Sequence, residues 1–170
     1  MKISTFQICR HICIFALTLA LCVISFTGVA TATDLQRSGQ HVQHKIAANA
    51  IKIDDAENHF IGTYQFEGVN IVDGGEVPTS VNNGTFDFTN GLGTYSGYAV
   101  FTFKDGSTYT TYYEGSKKKT DKGIVSAGTT KFVGGTGRYV GIKGEGTFSV
   151  KYYNKGKMSI VDWKDSMSLP

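Results

Sequence analysis

Residues 33–170 contain no cysteine; Cys9, Cys13 and Cys22 all lie nearer the N-terminus. That stretch therefore has no cysteine nucleophile, no thiolate metal ligand and no disulfide. A hydrophobic core alone must hold it together, as a single domain of this length can. Proline is limited to Pro78 and Pro170, which leaves extended segments free to pair. Excess charge of one sign is missing too. The chain carries 17 Lys and Arg against 14 Asp and Glu, and setting Lys2 and Arg10 aside leaves a formal net charge of +1. So small an excess draws no polyanion, and no nucleic-acid partner is expected. The one long apolar run, Ile12 to Phe26, is about 15 residues, short of the roughly 20 that a membrane-spanning helix requires. After residue 32 no useful helical period appears, and no serine, histidine and acid stand at a nucleophile-elbow spacing, so a hydrolase is unsupported.

What is present begins with a leader. Lys2, Arg10, the apolar run and the small residues Ala30-Thr31-Ala32, with no acid before Asp34, have the order of a secretory signal peptide. This predicts a signal peptide over 1–32, a secreted or periplasmic location and no integral membrane segment after cleavage. Residues 33–43, TDLQRSGQHVQ, are polar and aperiodic and are expected to be a flexible arm. Residues 44–170 then form the folded domain.

Within that domain the pattern is one of strands. Tyr64, Phe66, Gly68 and Asn70 alternate with Gln65, Glu67, Val69 and Ile71, and Phe86 and Phe88 flank Asp87. In GYAVFTFKDGSTYTTYY two β-rich runs flank Asp105-Gly106, a pair suited to the positive φ angles of a hairpin turn. EGSKKKTDKG reads as a second hairpin with Lys117, Lys118 and Lys119 in a solvated loop. YYNKGKMSIVDW reads as a third, around Asn154-Lys155-Gly156. Turn signals at short intervals, together with 20 glycines after the leader, indicate an antiparallel sheet closed into a barrel or folded into a sandwich. Gly68, Gly97, Gly141, Gly144 and Gly146 are expected at bends or bulges. In KFVGGTGRYVGIKGEGTF, Gly134, Gly135 and Gly137 are expected to shape the turn before a strand over 138–148, with at least one at positive φ. A phosphate-binding glycine loop would need a helix to follow it, and none does. Arg138 is placed at an exterior or rim position.

Tyr95, Gly97, Ala99, Phe101 and Phe103 share one strand face, on which small residues sit beside aromatic walls. Such a face either lines a cavity or fills a tapering barrel. Tyr64, Phe66, Tyr95, Ala99, Phe101 and Phe103 are the candidate ligand-binding residues. Glu67 shares the opposite face with Val69 and Ile71 and is expected outside, because charged side chains are rarely buried unpaired. If that face were interior, Glu67 would be the candidate catalytic acid. His41, His44 and His59 do not specify the three or four convergent ligands of a zinc site and are read as solvated, so no metal and no cofactor are expected. Asn83-Gly84-Thr85 has the form of a glycosylation sequon and is read as a turn. Tyr109, Tyr112 and Tyr113 suggest an aromatic outer face.

GTTKFVGGTGRYVGIKGEGTF, together with Gly75-Glu76-Val77-Pro78, SGYAVFTF and DGSTYTTYYEG, resembles the allene oxide cyclase barrel-like family, related in fold to dirigent proteins, over residues 59–153. The resemblance implies an all-β fold, a closed eight-stranded antiparallel β-barrel with a hydrophobic cavity. In the plant members it implies cyclisation of an unsaturated fatty-acid epoxide. The plant catalytic set is not carried over. Ala99 stands where those enzymes have a cysteine, and two residues beyond Glu67 stands Val69 rather than asparagine, with Asn70 on the opposite face. The leading expectation is an exported small barrel that binds a small hydrophobic or aromatic ligand. The alternatives are an isomerase or cyclase acting on an unsaturated lipid, and an oligomeric surface or assembly protein in which copies of the chain associate. Whether the barrel is an enzyme stays open.

Overall fold

A computed structural model describes residues 33–121 and 123–170; the expected signal peptide, residues 1–32, lies outside the described residues. Eight strands follow in order: β1 (Thr33–Ile53), β2 (His59–Val72), β3 (Thr79–Thr89), β4 (Leu92–Thr102), β5 (Thr108–Thr120), β6 (Gly123–Gly135), β7 (Lys143–Tyr153) and β8 (Met158–Leu169). Each pairs antiparallel with the next, and β8 pairs back onto β1 along Thr33–His44, which closes the barrel. Closure gives every strand a neighbour on both sides over part of its length, so no strand stands at the edge of an open sheet. The fold is the expected closed eight-stranded antiparallel barrel.

Several local expectations are corrected. Residues 33–43 are not an arm but the first half of β1, bonded to β8 on one side and, from Gly39 onward, to β2 on the other. Their polarity misled because this half-strand carries polar groups on both faces. Gln36 and Gln40 donate to Ser166 and Asp162 outside, at 2.8 and 2.7 Å, while His41 is buried inside. Lys117, Lys118 and Lys119 lie in the β5 ladder opposite Ser126, Val125 and Ile124, so the turn is shorter than the charge run suggested. Asn83 is in the middle of β3 rather than in a turn. At Asp105-Gly106 only the glycine has positive φ, +82°; its N–H closes a turn onto the Phe103 carbonyl at 3.0 Å. Gly134 and Gly135 end β6, Gly137 has the anticipated positive φ (+58°), and a single 3-10 turn, Gly137–Tyr139, delays the next strand to Lys143. The register shifts fall at Ile46 and Val133, not at Gly68, Gly97 or Gly146.

Gly97 and five further interior glycines have a different task. Gly39 lies directly across from Trp163, Gly62 from Phe86, Gly84 from Tyr64, Gly97 from Tyr113, Gly115 from Tyr95 and Gly128 from Phe148. In each pair the ring of one strand lies over the bare backbone of its neighbour; a Cβ on Gly97, for example, would stand 2.5 Å from the Tyr113 hydroxyl and would also meet the Asn83 carbonyl. Rings held flat against the wall in this way leave the axis free.

Hairpin turns alternate between the two ends of the barrel. One end is sealed by Phe101, Phe103, Tyr109, Phe132, Tyr139, Ile142 and Met167. Arg138 crosses this seal from outside, 4.7 Å above the Phe103 ring and 5.0 Å above that of Tyr139. It is anchored to Glu76 at 2.5 Å and Asp105 at 3.6 Å.

Alanine at Gly97 is expected to cost about 1–3 kcal/mol by overpacking, and at Gly137 about 1 kcal/mol through its backbone angle. At Gly134, where a Cβ meets open space, the change should stay within about 0.5 kcal/mol. Urea denaturation of the three variants checks this order.

Candidate functional site

Above the sealed end the lumen is a cavity of about 670 Å³. Its walls are built from the inward residues of the strands, and period-two alternation puts Tyr95, Ala99 and Phe101 of β4 on the same side as Tyr64 and Phe66 of β2. Rings pack edge to face and in tilted stacks around the wall: Tyr64 with Phe66 and Phe86, Phe86 with Phe88, Tyr95 with Phe148.

The deep part of the cavity carries polar groups. His41 Nε2 lies 2.6 Å from Ser80 Oγ, and burial holds its pKa down at about 4, so the ring is neutral at pH 7. The indole N–H of Trp163 donates to Asn70 Oδ1 at 2.6 Å. Asn82 donates to Gln43, which donates in turn to Ser159 at 3.0 Å. Asp165 accepts a hydrogen bond from Thr130 at 3.0 Å; burial pushes its pKa up to about 6, against a smaller opposing pull from Thr130 and Arg37. Arg37 reaches the hydroxyls of Tyr109 and Tyr139 at 3.3 and 3.4 Å, and its Nε is buried without a partner.

Burial also raises the phenols of Tyr64, Tyr95 and Tyr109 above their usual range and that of Tyr113 to about 12. They therefore stay as hydroxyls able to donate. Tyr113 donates to Tyr64 at 3.0 Å, and Tyr95 bonds Ser126 at 2.8 Å. These groups can hold and orient a small molecule, and Asp165 can exchange a proton near neutral pH.

Five of the six candidate ligand-binding residues, Tyr64, Phe66, Tyr95, Ala99 and Phe101, line this cavity. Phe103 does not: it is the next inward residue, but it falls below the cavity floor, packed on Tyr109 and Tyr139. Glu67 points outward and is exposed, with no bulge at Gly68 to turn it, which removes it as a catalytic acid in the cavity. Asn70 faces in. The histidines separate: His41 enters the cavity instead of being solvated, His44 is exposed, and His59 bridges Asp55 and Asp87 at 2.5 and 2.8 Å. Tyr109 and Tyr113 also face inward, leaving Tyr112 outside against Tyr98, so the supposed aromatic outer face dissolves.

Sequence reasoning missed His41, Asp165, Trp163 and Lys117. A signal for two of them was present. In SIVDWKD the alternation that buries Trp163 also carries Val161 and Asp165 inward.

The chain matches no protein-family profile and no curated relative by sequence. Among solved structures it is similar to that of the pterocarpan synthase dirigent protein GePTS1, with a TM-score of 0.52 and 10% identity over 85% of this chain and 93% of that one. That likeness concerns the fold: this is a dirigent-like β-barrel.

Asp165 and His41 act on stability in opposite senses. Asp165, raised from 3.8 to about 6, stabilises fully below about pH 4 and loses that share as pH rises to about 6. His41, lowered from 6.5 to about 4, stabilises fully above about pH 6.5 and loses its share as pH falls to about 4. Asp165→Asn should therefore gain on the wild type between pH 4 and 6, by on the order of 3 kcal/mol. Urea midpoints across that range, with the carboxyl carbon shift of Asp165 in the wild type, test it.

Proposed function

We propose that this chain is an exported barrel that takes a small apolar or aromatic molecule into its cavity. The observation that carries the reading is the size and lining of the lumen. About 670 Å³ walled largely by aromatic rings falls within the roughly 300–1,000 Å³ of working small-molecule sites, where a few fixed polar groups among apolar walls set orientation. Here those groups are His41, Asn70, Asn82, Thr111 and Asp165. The leader motif at residues 1–32 supports export to a secreted or periplasmic location.

A second reading, an isomerase or cyclase related in activity to the allene oxide cyclases, is favoured by one feature. Such chemistry needs an acid or base inside the cavity, and Asp165, rather than Glu67, occupies that position with a pKa near 6. The polar cluster around it is compatible with binding alone, so binding is the reading preferred.

The neutral dye N-phenyl-1-naphthylamine, which brightens in apolar surroundings, tests the binding reading. The wild type should bind it at micromolar concentrations. Ala99→Phe, whose added ring enters the cavity, should weaken binding at least about tenfold while the circular dichroism stays unchanged. Dye binding that ignores Ala99→Phe would place the dye outside the barrel and defeat the proposal.

A further inference from the structure

The open end of the cavity is lined by charge of one sign. Lys45 from β1, Lys117 from β5 and Lys155 from the turn between β7 and β8 border it, while the one carboxylate among the lining residues, Asp165, lies deeper on β8 beside Thr130.

Each lysine is brought there by the fold. The extra residue Ile46 shifts the phase of β1, so that Lys45 ends one inward series and Ala48 begins the next. The Lys45 N–H is bonded to the Lys157 carbonyl at 2.8 Å, which ties this point of β1 to the β7–β8 turn. Lys117 continues the inward series of Tyr113 and Gly115 along β5. Lys155 stands at the tip of its hairpin with φ +56°.

Their ammonium groups have no carboxylate partner among the described residues. Among the described lysines Lys151, bonded to Asp162, is the one paired with an acid, so what sets these three apart is that they converge on the cavity mouth. The Lys45 ammonium instead lies 5.8 Å from the centre of the Phe66 ring, and that of Lys117 lies 5.0 Å from the Tyr152 ring. Both rings line the cavity. A lysine with its stem along an apolar wall and no counter-ion holds its charge ready for an incoming anion.

We infer that the ligand of this barrel is an amphiphilic anion, with an apolar body that enters the aromatic lumen and a carboxylate head that stays at the mouth among Lys45, Lys117 and Lys155. The inference rests on the reading of the lumen as a binding site and adds the head group and the orientation. The apolar body lies against the aromatic rings of the wall between the mouth and the deep polar groups, Tyr64, Phe86, Tyr95 and Phe148, and the acid faces solvent. Such an arrangement leaves the carboxylate hydrated on one side and avoids burying an unpaired charge.

Trp163 is the single tryptophan of the chain and lies in the cavity wall, so its emission reports occupancy. The probes are dodecanoate, dodecan-1-ol and dodecyltrimethylammonium, which share one apolar chain and differ in head charge. In low-salt buffer the wild type should bind dodecanoate about tenfold more tightly than dodecan-1-ol, with the cation weakest. That preference should shrink as added salt brings the screening length to about 10 Å or less.

The triple variant Lys45→Gln, Lys117→Gln, Lys155→Gln should bring the acid-to-alcohol ratio close to one with alcohol binding unchanged. Lys164→Gln, which removes a charge from the outer face of β8, should keep the preference. Equal binding of acid and alcohol by the wild type, a preference that is insensitive to salt, or one that survives the triple variant would overturn the anion inference. In those cases alcohol binding would still uphold the lumen as a site. A folded wild type that binds neither probe would overturn both.

Discussion

The structure depends on the direct cross-strand pairing of glycine with an aromatic ring. Eight strands enclose a lumen that ordinary inward side chains can fill completely. In this barrel the rings of Tyr64, Phe86, Tyr95, Tyr113, Phe148 and Trp163 each find a glycine opposite, at Gly84, Gly62, Gly115, Gly97, Gly128 and Gly39. With no Cβ in the way, the ring folds across the neighbouring backbone instead of projecting to the axis. The same contact buries apolar area, covers backbone that glycine would otherwise expose, and keeps side chains off the axis of the lumen. Fold stability and cavity volume thus have one cause, and a side chain added at these glycines acts on both.

The barrel's asymmetry sets where the cavity begins and ends. At the sealed end aromatic packing is dense, and Arg138 covers it from outside, between Glu76 and Asp105. Just above the seal three pairs of buried polar groups satisfy each other, His41 with Ser80, Trp163 with Asn70, and Thr130 with Asp165, while Arg37 Nε is left without a partner. A hydrogen bond between two such groups offsets their desolvation, and an unpaired one would cost several times more. Towards the mouth the walls become aromatic and then cationic. The site is therefore graded along the barrel axis, and a ligand with two chemically different ends meets a different environment at each.

The strand faces were readable because a strand has a period of two. Once Phe66 or Phe101 is taken as inward, Tyr64, Tyr95 and Ala99 follow, and all line the cavity. The same logic carried Phe103 inward correctly but could not say how deep along the axis the cavity ends. Depth depends on where the Gly137–Tyr139 turn and the β4–β5 hairpin fold over the opening. The polar first half of β1 was unreadable as a strand because its inward residues, Arg37 and His41, have their partners in the barrel interior, at Tyr109, Tyr139 and Ser80. Those partners lie far away in sequence, so no local pattern announces them.

The sequence by itself determined that the domain is all-β, lacks cysteine, turns at Gly106 and Gly156, and presents alternating faces. These properties depend on residues within a few positions of one another, where backbone geometry and side-chain period act directly. Tertiary structure alone decided that β1 closes against β8, that Asp165 and His41 enter one chamber, and that Lys45, Lys117 and Lys155 meet at its mouth. Those outcomes require strands far apart in the chain to be brought side by side at a fixed register. That register is set by ring-over-glycine contacts and the two bulges, whose members recognise one another only after the barrel has closed.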